Sequence, residues 1–315
     1  MTALDPTSRE PSGATSVISA IIATRDRPEL LRVAIDSVLA QDHPGPIEVI
    51  VVFDQSTPMY DLARTEPQRA VRVVSNTRGP GLAGARNTGI VAADGEYIAF
   101  CDDDDAWFPH KLRYQLAAMR NREAVAAVSG IEVHYGETVR HRVPTVDRIT
   151  LEDLAHSRMT GAHPSTYLFR RDILLGPVGL VDEAIPSGYG EDYDLLIRTV
   201  RYGTVAVVQA PLVAVLWHRG SYFAQRWEAM AEGLGYLLDK HAELRADASG
   251  HAWIEGQRAF ALAASGDRTG ALRSVRRSLL LNPREPRGVL ALLVASGIVS
   301  AGRIMHALNS RGRGI

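Results

Sequence analysis

Four consecutive carboxylates, Asp102-Asp103-Asp104-Asp105, follow the apolar run Tyr97-Ile98-Ala99-Phe100-Cys101 and precede Ala106-Trp107. Like charges packed this closely repel, so a fold keeps them together only beside positive charge. In an extended segment alternate side chains point the same way, which lets Asp102 and Asp104 face one ion. An all-oxygen ligand set suits a hard divalent cation, Mn2+ or Mg2+, of the kind that bridges protein carboxylates to substrate phosphates. The competing account is capping of a helix begun by Pro109-His110-Lys111-Leu112, with Asp105 as the capping residue. Capping occupies one carboxylate and leaves three unexplained.

The elements that aim such residues alternate along the first third of the chain. Residues 17–22 read as a strand ending at Ala23-Thr24-Arg25-Asp26-Arg27-Pro28. Residues 29–39 follow as an amphipathic helix, with Leu30, Leu31, Ala34, Ile35 and Val38 on its apolar side. Further strands are expected at Ile47–Phe53 and at residues 71–74, a helix at 82–93, and then the strand that ends in the carboxylates. Strands alternating with helices predict an α/β fold with a doubly wound, mostly parallel sheet. Thr24 and Arg25 follow the first strand, Asp54 and Ser56 the second, Asn76 and Arg78 the third, and Asp102 to Asp105 the fourth. Ligands of open α/β sheets bind outside the carboxyl ends of strands, so these groups converge on one crevice. Arg86, in Gly84-Ala85-Arg86-Asn87-Thr88-Gly89, falls near a helix start, where a guanidinium suits an anionic diphosphate or simply faces solvent.

Ile21-Ile22-Ala23-Thr24-Arg25-Asp26-Arg27-Pro28, Val51-Val52-Phe53-Asp54-Gln55-Ser56, the Gly84 to Gly89 block, and Phe100 to Pro109 occur in a fixed order, as do Phe169 to Leu174 and Gly190-Glu191-Asp192-Tyr193-Asp194-Leu195. In that order and spacing the chain resembles the family 2 glycosyltransferases of the GT-A fold, over roughly residues 17–222. The resemblance implies inverting, metal-dependent transfer of a sugar from a nucleoside diphosphate donor to a hydroxyl of a glycan, a lipid-linked acceptor or a small molecule. It implies that Asp54 reads the base, that Thr24 and Arg27 cradle base and ribose with Arg25 also on the nucleotide sugar, and that Arg86 lies against the nucleotide and its phosphates. Asp102 and Asp104 match the Asp-x-Asp pair, with Asp104 the direct metal ligand, Asp102 orienting ribose or bound water at the metal, and Asp103 on the donor. His163 and Ser165 fall where relatives face the acceptor. His218, three residues before Ser221, matches a His that touches metal or diphosphate, or else is a satisfied structural His. Relatives carry an Arg where this chain has Leu216, and Arg219 is the nearest substitute.

Sugar transfer needs a base for the acceptor hydroxyl and a cation for the leaving diphosphate. Asp192 matches the family's base, with Glu191 next to it and Asp194 further along; a first-turn acid stabilised by the helix dipole is the ordinary alternative. A sugar-phosphate nucleotidyltransferase would need a triphosphate-binding basic loop that residues 23–28 do not supply. A scaffold would not require the Asp cluster, Arg86 and Asp192 together, and a retaining transferase would lack the base.

With 315 residues and 46% hydrophobic content, the chain can bury a full core and carry an appendage. The expected organisation is a disordered, signal-free leader at 1–16, a catalytic domain at 17–222 (nucleotide-sugar half 17–107, acceptor half 108–222), and a helical region at 223–315. Glycines in Gly188-Tyr189-Gly190 would let the backbone approach the sugar. Residues 253–283 have the spacing of one tetratricopeptide-like helix pair, which must pack on the catalytic domain or on another chain in an oligomer. The net charge of −1 argues against nucleic acid, but from Arg258 onward there are ten Arg, no Lys and two acids, +8 against −9 for the rest. Peripheral contact of this basic tail with an anionic membrane is one expectation, and a self-contained helical cap the other. The lone Cys101 reads as a buried thiol in a reducing, cytoplasmic setting, at the inner face of the membrane if the tail binds there.

Overall fold

A computed structural model describes residues 16–217 and 226–309. Residues 1–15 of the leader, His218, Arg219 and Ser221 therefore lie outside the described residues. The strands are β1 (Ile18–Thr24), β2 (Ile47–Phe53), β3 (Arg64–Glu66), β4 (Arg69–Ser75), β5 (Tyr97–Phe100), β6 (Asp105–Trp107), β7 (Ala126–Tyr135), β8 (Thr138–Arg142), β9 (Arg148–Ile149), β10 (Leu168–Arg170) and β11 (Val205–Leu216). They form one sheet in the order β3-β4-β2-β1-β5-β10-β7-β11-β6, with β8 on β7 and β9 on β11.

The four strands β4, β2, β1 and β5 are mutually parallel, the nucleotide-binding arrangement expected. Beyond β5 the sheet is mixed, because β10 runs antiparallel between β5 and β7 while β7 and β11 are parallel. Both faces are covered, which is why the strands read as continuous apolar runs. Along β1, Ile21 joins one core with Phe100, Phe169 and Tyr193, whereas Ile18, Ala20 and Ile22 join the other with Leu31, Ile35 and Val49. The helix Pro28–Leu39 starts on a proline at its first turn and buries Leu31, Ala34, Ile35 and Val38. Pro211 does not end β11; it sits in a register shift against β7, where a missing N–H is tolerated.

Asp105 corrects the capping expectation. It lies in β6, which pairs with β11, and the helix Lys111–Asn121 has His110 at its N-cap with no side-chain cap bond.

The helical region is continuous with this core. Met230, Leu234, Leu237 and Leu238 of the helix Trp227–Lys240 share a cluster with Tyr193, Leu196 and Val207. Helices Ala248–Ser265 and Arg268–Leu281 form a hairpin turned by Gly266 (φ +95°), and Asp267 accepts the Gly270 N–H at 2.8 Å to cap the second helix. No helix of the described residues is long and apolar enough to cross a membrane.

Candidate active site

A cleft of about 360 Å³ opens at the carboxyl ends of β1, β2 and β5. Thr24, Arg25, Arg27, Asp54 and Asp102 to Asp105 line it, with Gly81, His163 and Trp217 closing the sides. The convergence follows from topology: parallel strands all release their chains at the same edge.

Asp54 is buried at the cleft wall and accepts from Asn76 Nδ2 (2.8 Å), Gln55 Nε2 (2.9 Å) and the Gly81 N–H (3.0 Å). Burial alone would raise its pKa, but these three bonds outweigh it and leave it lowered. The bond to Gly81, whose φ is +111°, also pins the loop that starts the helix Leu82–Ala92.

The carboxylate cluster is held from three sides. Thr24 Oγ1 donates to Asp103 (2.7 Å), and one Arg27 nitrogen reaches both Asp103 (3.1 Å) and Asp104 (2.8 Å). Ser165 Oγ donates to Asp105 (2.5 Å) and accepts the Asp102 N–H (2.9 Å), while His163 Nδ1 lies 3.3 Å from Asp105. Burial pushes the Asp103 carboxyl up to about 6, the Thr24 bond opposes the rise, and the Asp104 charge adds to it. Asp105 is raised further by burial and by the charges of Asp102 and Asp104. Four carboxyls crowded together, two of them raised by burial and by their neighbours' charges, make a site whose ionised form a divalent cation would stabilise. Ligand atoms of Asp102, Asp105 and His163 lie within 4.8 Å of one another, so a cation also fits by geometry.

Arg86 links this cluster to the second acidic motif. It is buried, donates to Asp102 (2.6 Å) and to Glu191, and stands 5.2 Å over the Phe100 ring. Its charge is held firmly: burial disfavours the cation, but Glu191 and Asp102 more than compensate. Burial raises Glu191 to about 7 against the pull of Arg86, and its second oxygen is buried without a hydrogen-bond partner among the described residues. Asp192 is different. One Arg158 nitrogen donates to both of its oxygens (2.7 and 2.9 Å), and this guanidinium overcomes burial to hold its carboxyl below the usual range.

Several expected residues stand away from the cleft wall. Arg78 is exposed and pairs with Glu183 (2.6 Å), and the buried Ser56 hydroxyl has no partner among the described residues. Arg86, Glu191 and Asp192 are not among the residues that line this cleft. Asp194 is fully buried on Arg198, Lys240 and His241, which makes it structural. Gly190 (φ +87°) faces Leu237, where a Cβ would come within 2.7 Å, so helix packing and a left-handed turn require it. Arg158 was not legible in the sequence: it sits 34 residues before its partner, in the irregular segment after the short helix Leu151–His156.

Residues 19–175 match the sequence family described as Glycosyl transferase family 2. The chain belongs to that family. Similar curated proteins are the Uncharacterized glycosyltransferase alr2836 of Nostoc sp. (35% identity; 37% of this chain and 37% of that one) and the Succinoglycan biosynthesis protein ExoO of Rhizobium meliloti (30%; 64% and 60%). The match thus spans less than two thirds of either relative. The UDP-Glc:alpha-D-GlcNAc-diphosphoundecaprenol beta-1,3-glucosyltransferase WfgD of Escherichia coli is 24% identical over 62% of this chain and 75% of its own. Among solved structures, S. aureus TarS 1-349 in complex with UDP-GlcNAc has a TM-score of 0.58 at 17% identity, covering 89% of this chain and 91% of TarS. The mannosyltransferase PcManGT from Pyrobaculum calidifontis, in complex with GDP-Man and Mn2+, has 0.56 at 19%, covering 93% and 82%. At these identities the two structures establish the shared GT-A-type fold.

Proposed function

We propose that the chain is an inverting, cation-dependent glycosyltransferase that moves a sugar from a nucleoside diphosphate to an acceptor hydroxyl. The observation that carries this is the single cleft collecting Thr24, Arg27, Asp54 and the four-Asp cluster at the carboxyl edge of the parallel strands. In this reading Asp54 and the Gly81 loop hold the base, which is uracil, thymine or guanine, and Thr24, Arg25 and Arg27 position the ribose and phosphates. Asp102 and Asp104 would hold the cation, with Asp105 and His163, whose ligand atoms lie within 4.8 Å of that of Asp102, as further donors and His218 as an additional contact. A divalent cation there supplies charge stabilisation to the departing diphosphate. Asp192, kept ionised by Arg158, takes the proton from the acceptor hydroxyl as that oxygen attacks the anomeric carbon from the face opposite the leaving group. Arg86 fixes the distance between the two halves by joining Asp102 to Glu191.

Relatives named for UDP-Glc, diphosphoundecaprenol and succinoglycan support a lipid-linked sugar or growing envelope polysaccharide as the acceptor. Such a substrate places the chain at the cytoplasmic face of a membrane, with its basic C-terminal region as the contact.

The test is turnover. Native chain supplied with UDP-, dTDP- or GDP-sugars, Mn2+ and a diphosphate-linked N-acetylglucosamine acceptor should release nucleoside diphosphate and give a product of inverted anomeric configuration. Asp192→Asn should lower kcat by roughly 10²–10⁴ while donor affinity stays unchanged. A retained anomer, or full activity in Asp192→Asn, would remove the base from this position.

A further inference from the structure

The helix Arg268–Leu281 (RTGALRSVRRSLLL) carries four Arg and no acid. Ala271, Ser274, Val275 and Ser278 are its buried side, and Ser278 Oγ donates to the Ala252 carbonyl (2.7 Å) of the preceding helix. At about 100° per residue, Leu272, Arg276 and Leu280 make one outward stripe, bordered by Arg268 on one side and by Arg273 and Arg277 on the other. Leu272 is 53% and Leu280 73% exposed. Arg277 leans on Glu255 (3.3 Å), while among the described residues Arg268, Arg273 and Arg276 have no acid within ion-pair distance. Exposed apolar side chains continue beyond this helix at Val289, Leu292 and Ile298.

A single exposed Leu needs no explanation. Two on one stripe, rimmed by guanidinium groups, match a helix lying in the plane of a bilayer surface, where apolar side chains reach the acyl boundary and cations meet phosphates. A site for a soluble polyanion would use the arginines and gain nothing from the leucines.

We infer that this face docks on an anionic phospholipid surface, with Leu272 and Leu280 inserted and Arg268, Arg273, Arg276 and Arg277 on headgroup phosphates. The inference rests on the membrane contact proposed above and assigns it to one helix. Charge complementarity favours this occupant: the region from Arg258 onward is +8 while the rest of the chain is −9.

Flotation of the full chain with vesicles decides it, using phosphatidylcholine alone and phosphatidylcholine mixed with phosphatidylglycerol. Native chain should float with the anionic vesicles only, less so as salt rises. The double variant Leu272→Ser/Leu280→Ser keeps every charge and both sites are exposed, so its melting temperature should be unchanged. Its partitioning should fall roughly tenfold or more, as should that of Arg273→Ser/Arg276→Ser. If native chain floats and the leucine variant floats equally well, this face is wrong while membrane contact stands. If native chain floats with neither vesicle, the membrane contact itself fails and the donor-site reading is untouched. Arginine-dependent binding to heparin with no leucine-dependent binding to vesicles would make the face a polyanion site and overturn the inference.

Discussion

Arg158 and Asp192 show how a neighbour sets what a carboxylate can do. Burial favours the neutral acid, and the guanidinium favours the anion strongly enough to win. Removing the cation leaves burial unopposed, so the pKa of Asp192 must rise. The acidic limb of the pH–kcat profile in Arg158→Met should therefore move toward neutrality, with Arg158→Lys restoring part of the native profile. An unmoved limb would mean that Arg158 only packs on Tyr189, whose ring it covers at 5.4 Å. At this scale the sequence is uneven. Asp102 to Asp105 announce themselves because four acids in a row have no ordinary structural use. The pairing of Arg86 with Glu191 joins residues 105 apart, and no local pattern carries that information.

The Gly84 to Gly89 block owes its glycines to element packing. A Cβ on Gly84 would collide with the Gly79 carbonyl, and one on Gly89 would meet Ile21 of β1. The helix Leu82–Ala92 can thus lie close to the sheet only with glycine at both positions, which brings Arg86 under the Asp cluster and Gly81 onto Asp54. Gly84→Ala should cost about 1–3 kcal/mol of stability by overpacking and weaken nucleotide binding as the Gly81 N–H leaves Asp54. Chemical denaturation and titration calorimetry read the two effects separately. On the helix Glu191–Tyr202, Asp194 is held well below the usual carboxylate range: burial opposes this, and His241, Arg198 and Lys240 overcome it. A depressed folded-state pKa contributes stability above the unfolded-state value, and that contribution is lost as pH falls. Asp194→Asn should therefore lose about 3 kcal/mol at neutral pH by leaving buried cations uncompensated, and the difference from native should shrink in acid. The long apolar strands β1 and β2 were readable from composition. The three-residue β3, exposed throughout, and the antiparallel insertion of β10 were not, because edge pairing and strand order depend on partners far along the chain.

Across the whole molecule, the helical region packs into the core of the α/β part instead of hanging from it. Leu237 packs on Gly190, Gly233 meets the Tyr189 backbone, and His241 reaches Asp194, so the helix Trp227–Lys240 braces the segment that delivers Glu191 and Asp192. The spacing at residues 253–283 foretold a helix pair, but which surface the helices cover became legible only with the sheet in place. In the proposed function the four-carboxylate cleft holds a cation and, through it, a nucleoside diphosphate. Titration calorimetry of UDP, dTDP and GDP, with and without Mn2+, on native chain and on Asp104→Ala tests it most directly. Binding of one nucleotide that requires Mn2+ and is lost in Asp104→Ala is the predicted result. A folded native chain that binds none of the three, or binds equally well without the metal and in the variant, would contradict it.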